Sequence, residues 1–198
     1  MAKLSANLVN HAFWLMEFGQ TVDLALANPE LDQVRQDIIA KNTYAAATPA
    51  RLKQQAGVVT RRVQALAPAW WTLFDQLDPN NQRLVNLVAI MATEPLMYTF
   101  MYDVYRQELI LGDRRIEPYE MVAFFNKLSL EHEEVAQWRD ETVQRLQSTM
   151  RNYLREARLA VDDHGTLMLQ GYILDQCIIN LLQDENKQDY LAIFQGGA

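Results

Sequence analysis

Six prolines, each placed where an α-helix can begin, constrain this chain most. Proline fixes φ and lacks an N–H, so it suits the first turn of a helix and breaks its interior. Asn28-Pro29, Thr48-Pro49 and Asp78-Pro79 each put a capping side chain just before the ring. Pro68, Pro95 and Pro118 mark three further starts or kinks. Apolar residues recur at helical spacing nearly throughout, which predicts helices near 5–18, 20–27, 29–40, 49–66, 69–77, 79–93, 95–110, 118–129, 140–159, 173–183 and 187–194. Gly112-Asp113 is the natural break, with Gly112 ending the helix before it. The chain therefore reads as all-α, a multi-helix globular bundle. It has an N-terminal helical region over 1–111 and a C-terminal one over 112–198, packed as one domain or as two.

One segment departs from the helical period. Leu159-Ala160-Val161 and Thr166-Leu167-Met168-Leu169 flank the polar turn Asp162-Asp163-His164-Gly165. Two short apolar pieces around a Gly-containing turn predict a small β-hairpin over 159–170. It follows the long helix 140–159 directly, and a helix pair followed by a hairpin is the outline of a winged helix. The alternative is that Leu167–Leu169 begin the next helix.

No window reaches ~18 uninterrupted apolar residues, the length a spanning helix needs. The best stretch, Leu84 to Met101, is interrupted by Asn86, Glu94 and Pro95. Lys3 is not followed by an apolar segment with a small-residue cleavage site, so no signal peptide is expected. Cys177 is the one cysteine and sits in the apolar run Tyr172–Leu182, which predicts a buried structural thiol. A cytoplasmic protein with no membrane association is the expectation. His11, His132 and His164 lack metal-helix spacing, and no phosphate-binding Gly loop or nucleophile motif is present. Neither a metal, a cofactor nor an enzymatic activity is expected, because no residue stands out to carry one.

The charge is unevenly spread. Ile38 to Phe74 holds Lys41, Arg51, Lys53, Arg61 and Arg62 with no Asp or Glu, in a chain of net charge −7. Such a cluster makes a local field that the net charge hides. On the helix opening at Thr48-Pro49, Leu52, Ala56, Val59, Val63 and Leu66 form one narrow apolar stripe. At about 100° per residue Arg61 falls opposite that stripe, with Arg51 and Arg62 on one flank and Lys53 on the other. All four are expected outside the core, as phosphate contacts. Gln54, Gln55 and Thr60 are expected beside them. Trp70, Trp71 and Phe74 suit a core anchor under this helix.

Helix 140–159 repeats the design. Val143, Leu146, Met150, Tyr153, Leu154 and Ala157 give its apolar face, and Arg151, Arg155 and Arg158 an outer stripe. Arg145 lies farther round, and His164 stands at the wing tip. Arginine suits bidentate contact with phosphate or guanine. Asp140, Glu141 and Glu156 oppose this reading, and many surface helices carry such charges only as a solvated face. On helix 95–110, Phe100, Met101, Val104 and Ile110 suit the core, and an exposed Tyr could stack on a base.

Several strings resemble the BrxA family of BREX phage-defence systems. Asn42, Thr48, Arg51, Arg62-Val63 and Leu66 occupy the places of a helix-ending Asn, a cap, an Arg, an Arg-hydrophobic pair and a closing Leu. Tyr98–Ile110 is similar to the family's aromatic-and-acid helix. Tyr119, Phe124-Phe125, Lys127, Thr142, Leu146 and Tyr153-Leu154-Arg155-Glu156-Ala157 follow in family order, with Arg158 where a Gly often stands. The resemblance spans roughly residues 5–175. It implies a small, all-helical cytoplasmic DNA-binding protein of antiviral defence, with other BREX components as partners, among them a methyltransferase and ATPases. The inner-membrane label the family has carried finds no spanning segment here. The expected function is that of a non-enzymatic DNA-binding accessory protein that helps place the defence complex on DNA. Its candidate contacts are Arg51, Lys53, Arg61, Arg62, Arg145, Arg151, Arg155 and Arg158, and its sequence preference is expected to be weak. The alternatives are an adaptor whose basic helix docks an acidic partner, and an RNA-binding helical module.

Overall fold

Capping fixes where the first helices begin and end. The computed structural model of the protein describes residues 3–196. It divides into two units, Phe13–Thr93 and Met1–Ala12 together with Glu94–Ala198. The first unit holds α1 (Leu15–Ala27), α2 (Leu31–Lys41), α3 (Pro49–Gln64), α4 (Pro68–Phe74) and α5 (Pro79–Thr93). The Thr48 hydroxyl accepts a hydrogen bond from Arg51 N at 3.2 Å, so cap and Pro49 start α3 together. Asp78 accepts from the backbone N–H groups of Asn80 and Asn81 at 2.8 and 3.3 Å. Asn42 ends α2 in the left-handed conformation, at φ 47°, and its side chain bonds both backbone groups of Ala46. Asn28 acts differently from expectation: its side chain accepts from Glu30 N, and α2 opens at Leu31.

The two helices expected over 5–18 and 20–27 are replaced by a 3-10 turn at Asn7–Asn10 and the unbroken α1, which follows the left-handed Trp14. Gly19 lies inside α1, where a Cβ would sit 3.4 Å from the Phe74 ring, at the edge of ordinary contact. Helix α3 is packed by α1, α2 and α5. Trp70, Trp71 and Phe74 are buried as expected, and the Trp71 indole donates to Val63 O at 3.0 Å.

The second unit contains α6 (Pro95–Phe100), a π-helical turn over Met101–Tyr105 and α7 (Arg106–Leu111). Then come β1 (Arg115–Ile116), α8 (Pro118–Glu131), α9 (Glu133–Ala136) and α10 (Asp140–Glu156). It closes with β2 (Ala160–Asp163), β3 (Thr166–Leu169), α11 (Gln176–Asp184) and α12 (Gln188–Gln195). The hairpin β2–β3 forms where expected, around His164 (φ 50°) and Gly165 (φ 98°). Two positive φ values in a two-residue loop match the twist of paired strands. Strand β1 adds antiparallel to β3, pairing Ile116 with Leu167, and the sheet order is β1-β3-β2. Helix, strand, three helices and a hairpin in that order give a winged-helix-like arrangement, with α10 leading into the wing. Among the described residues no single helix is long and apolar enough to cross a membrane.

Helix α10 stops because its C-terminal carbonyls are satisfied by a turn. Leu159 N bonds Leu154 O at 2.9 Å, and Arg158 between them takes φ 60°. This is the left-handed position that favours Gly, and an L-residue there costs about 1 kcal/mol. Arg158→Gly should therefore raise stability by about 1 kcal/mol, read as a higher unfolding midpoint in urea.

Candidate nucleic-acid interface

Two faces hold the expected contact residues, one in each unit. On α3, Arg51, Lys53 and Arg61 are exposed, as is Gln54. Arg61 Nε donates to Gly57 O at 3.2 Å, which lays the side chain along the helix surface. Arg62 does not join them. It is fully buried, its Nη1 donates to Phe13 O at 2.8 Å, and its guanidinium lies 5.5 Å from the Trp14 ring centroid. Gln55 and Thr60 are buried too. The narrow stripe expected from spacing is in fact a broad buried surface, because three helices enclose α3 rather than one.

On α10, Leu146, Met150, Tyr153 and Leu154 are buried, and the Tyr153 hydroxyl donates to His11 O at 2.9 Å. The outward face carries Gln144, Arg145, Ser148, Asn152 and Arg155, all exposed. The stretch Thr142–Arg155 contains no acid, so Glu141 and Glu156 stand only at the ends of this face. Glu141, Gln144, Arg145 and Ser148 line an open groove of about 570 Å³ along the first half of the helix. Arg151 is engaged elsewhere. It pairs with Asp162, joining α10 to strand β2. A hydrogen bond from Gly165 N, and then Arg151, hold the Asp162 carboxyl below its ordinary range. Arg158 is exposed beyond the helix end, and His164 is fully exposed at the wing tip.

Gln144, Ser148 and Asn152 are the residues that reading cations alone left out. Their signal was present, since amide and hydroxyl side chains share a helical face with two arginines over a stretch, Thr142–Arg155, that contains no acid. These are the groups that hydrogen-bond base edges.

Other expectations change. Cys177 is exposed, because α11 buries Ile178 and Leu182 and turns its first turn outward. A hydrogen bond to Asp175 raises its thiol pKa. Phe100, Met101 and Val104 are in the core, whereas Ile110 is 45% exposed. Tyr98 donates to Asp189 at 2.6 Å and stacks on Tyr102, over which Arg106 lies at 4.7 Å. Those rings are already engaged with their neighbours. Among the described residues no group of three His, Cys, Asp or Glu is arranged to hold a metal ion.

A titratable pair sits beside this unit's sheet. Burial, and then the hydrogen-bonded Glu120 carboxyl, push the Glu108 pKa from 4.5 to about 7. A raised carboxyl pKa favours the protonated fold. Its stabilising contribution is complete below pH ~4.5 and lost as pH rises through ~7. Glu108→Gln should thus stabilise the protein at pH 8 by on the order of 2 kcal/mol and change little at pH 4, which thermal unfolding at the two pH values measures.

The fold and these two faces define a mostly helical protein with a winged-helix-like unit whose long helix turns one face outward with hydrogen-bonding side chains. Residues 2–186 match the BrxA family model, and the chain belongs to the BrxA family of the BREX phage-defence system. A BREX protein BrxA of Bacillus cereus (strain H3081.97) is 23% identical over 164 residues, covering 83% of this chain and 82% of that protein. The crystal structure of an uncharacterized protein from Magnetospirillum magneticum shares the fold at a TM-score of 0.81. It has 16% identity and covers 99% of this chain and 100% of its own.

Proposed function

We propose that this chain is a non-enzymatic DNA-binding accessory protein of BREX defence, which helps place the defence complex on duplex DNA. The observation that carries this reading is the outward face of α10, where Gln144, Arg145, Ser148, Asn152 and Arg155 are exposed beside the wing. An α-helix fits the major groove, and amide and guanidinium side chains can pair there with base edges. The cations of α3, namely Arg51, Lys53 and Arg61, supply a second set of phosphate contacts, which give affinity without sequence information. Arg62 and Arg151 drop out of the contact set, since the first is core and the second is paired with Asp162, whereas Arg158 stays exposed beyond the helix end.

The α3 contribution is separable. Arg51→Glu/Lys53→Glu/Arg61→Glu should weaken duplex binding about tenfold or more near 0.1 M salt and flatten its salt dependence. An electrophoretic mobility shift series at several salt concentrations measures both. Unchanged affinity and slope would remove α3 from the interface. Tight, salt-sensitive binding of another defence component, with no shift of bare duplex, would favour an adaptor instead.

A further inference from the structure

A cleft in the second unit, away from the outward face of α10, is built like a peptide site. It encloses about 430 Å³. It is lined by the irregular segment between β3 and α11, Gln170 to Leu174, and by Tyr105, Leu109 and Phe194. Tyr105 closes the π-helical turn, a feature often found at functional sites. Ile173 lines the cleft and is yet 89% exposed. An occupant confined to the cavity would leave that side chain in water, whereas a chain running across the mouth would cover it.

Two polar features fix what that chain must offer. Among the described residues, Gly171, Ile173 and Leu174 have no backbone hydrogen-bond partner. Open backbone groups of this kind can hydrogen-bond an incoming chain. Arg114 lies at the cleft, close enough to the buried Tyr105 hydroxyl to offset part of the rise that burial imposes on it. A guanidinium beside apolar walls suits a carboxylate next to an apolar side chain.

We propose that the cleft between the 170–174 segment, α7 and α12 docks an extended polypeptide of a partner, placing its C-terminal apolar side chain in the cavity and its carboxylate on Arg114. This goes beyond the DNA-binding reading and stands independently of it.

The test uses fluorescein-labelled hexapeptide pools, randomised at the first five positions and ending in Leu, with a free carboxylate or an amide. Fluorescence anisotropy with the full chain should give saturable binding of the carboxylate pool, at least tenfold tighter than the amide pool. Arg114 has φ 52°, so Arg114→Asn keeps a residue that tolerates the left-handed backbone. That variant should bind both pools equally while keeping wild-type unfolding temperature and DNA affinity. No saturable binding of either pool, or equal binding of both by the wild type, would overturn the proposal. So would octanoate occupying the site as tightly as the peptides, because the ligand would then be a small amphiphile.

Discussion

Arg62→Ala is expected to lower the stability of the protein by about 3 kcal/mol, a shift of roughly 10 °C in thermal unfolding. The cause is local. Arg62 and Asn86 both donate to Phe13 O at 2.8 Å, and the guanidinium lies 5.5 Å from the ring centroid of Trp14, whose φ is 51°. Removing the side chain deletes a charge-assisted hydrogen bond and leaves a void under a strained backbone. Arg62→Lys should recover little, since an ammonium lacks the planar guanidinium that meets both the indole and the carbonyl. Arg61→Ala, one residue away and exposed, should change stability by no more than about 0.5 kcal/mol. Equal, small effects at both positions, read by thermal or urea unfolding, would contradict the buried role.

The second large effect belongs to α10. Arg145→Glu/Arg155→Glu should weaken duplex binding about 100-fold or more near 0.1 M salt, by removing two cations and placing two anions on the face proposed to contact DNA. Both positions are exposed, so the folded state should persist, with unfolding midpoints close to wild type. Gln144→Ala/Asn152→Ala keeps the charge, and should instead reduce discrimination between duplex sequences by about 1–3 kcal/mol per lost base contact. Competition binding with unrelated duplexes reads that difference. Loss of affinity in the charge variant with no loss of discrimination in the amide variant would assign α10 to the phosphates alone.

Local chemistry made much of the fold legible. Thr48-Pro49, Asn42 and the turn before Gly165 name their own structures, because caps and turns depend on a few adjacent residues. Strand β1 was not legible: it has two residues, and its partner Leu167 lies fifty-one positions away from Ile116. Nor was the fate of Arg62. Spacing shows which face of α3 is apolar, but not that α1, α2 and α5 together cover more than that face. The pairing of Arg151 was hidden for a similar reason, since Asp162 meets it only once the wing folds back against α10. The amide and hydroxyl residues of α10 were visible as letters, yet a search for cations passes over them.

Whether α10 holds duplex DNA is tested most directly by fluorescence anisotropy of one labelled duplex. It is titrated with wild type and with Arg145→Glu/Arg155→Glu from 50 to 200 mM salt. Wild-type affinity should fall steeply with salt, and the variant's logarithmic slope should be shallower by about two. Equal affinities and equal slopes for the two proteins would contradict a DNA-binding role for this helix.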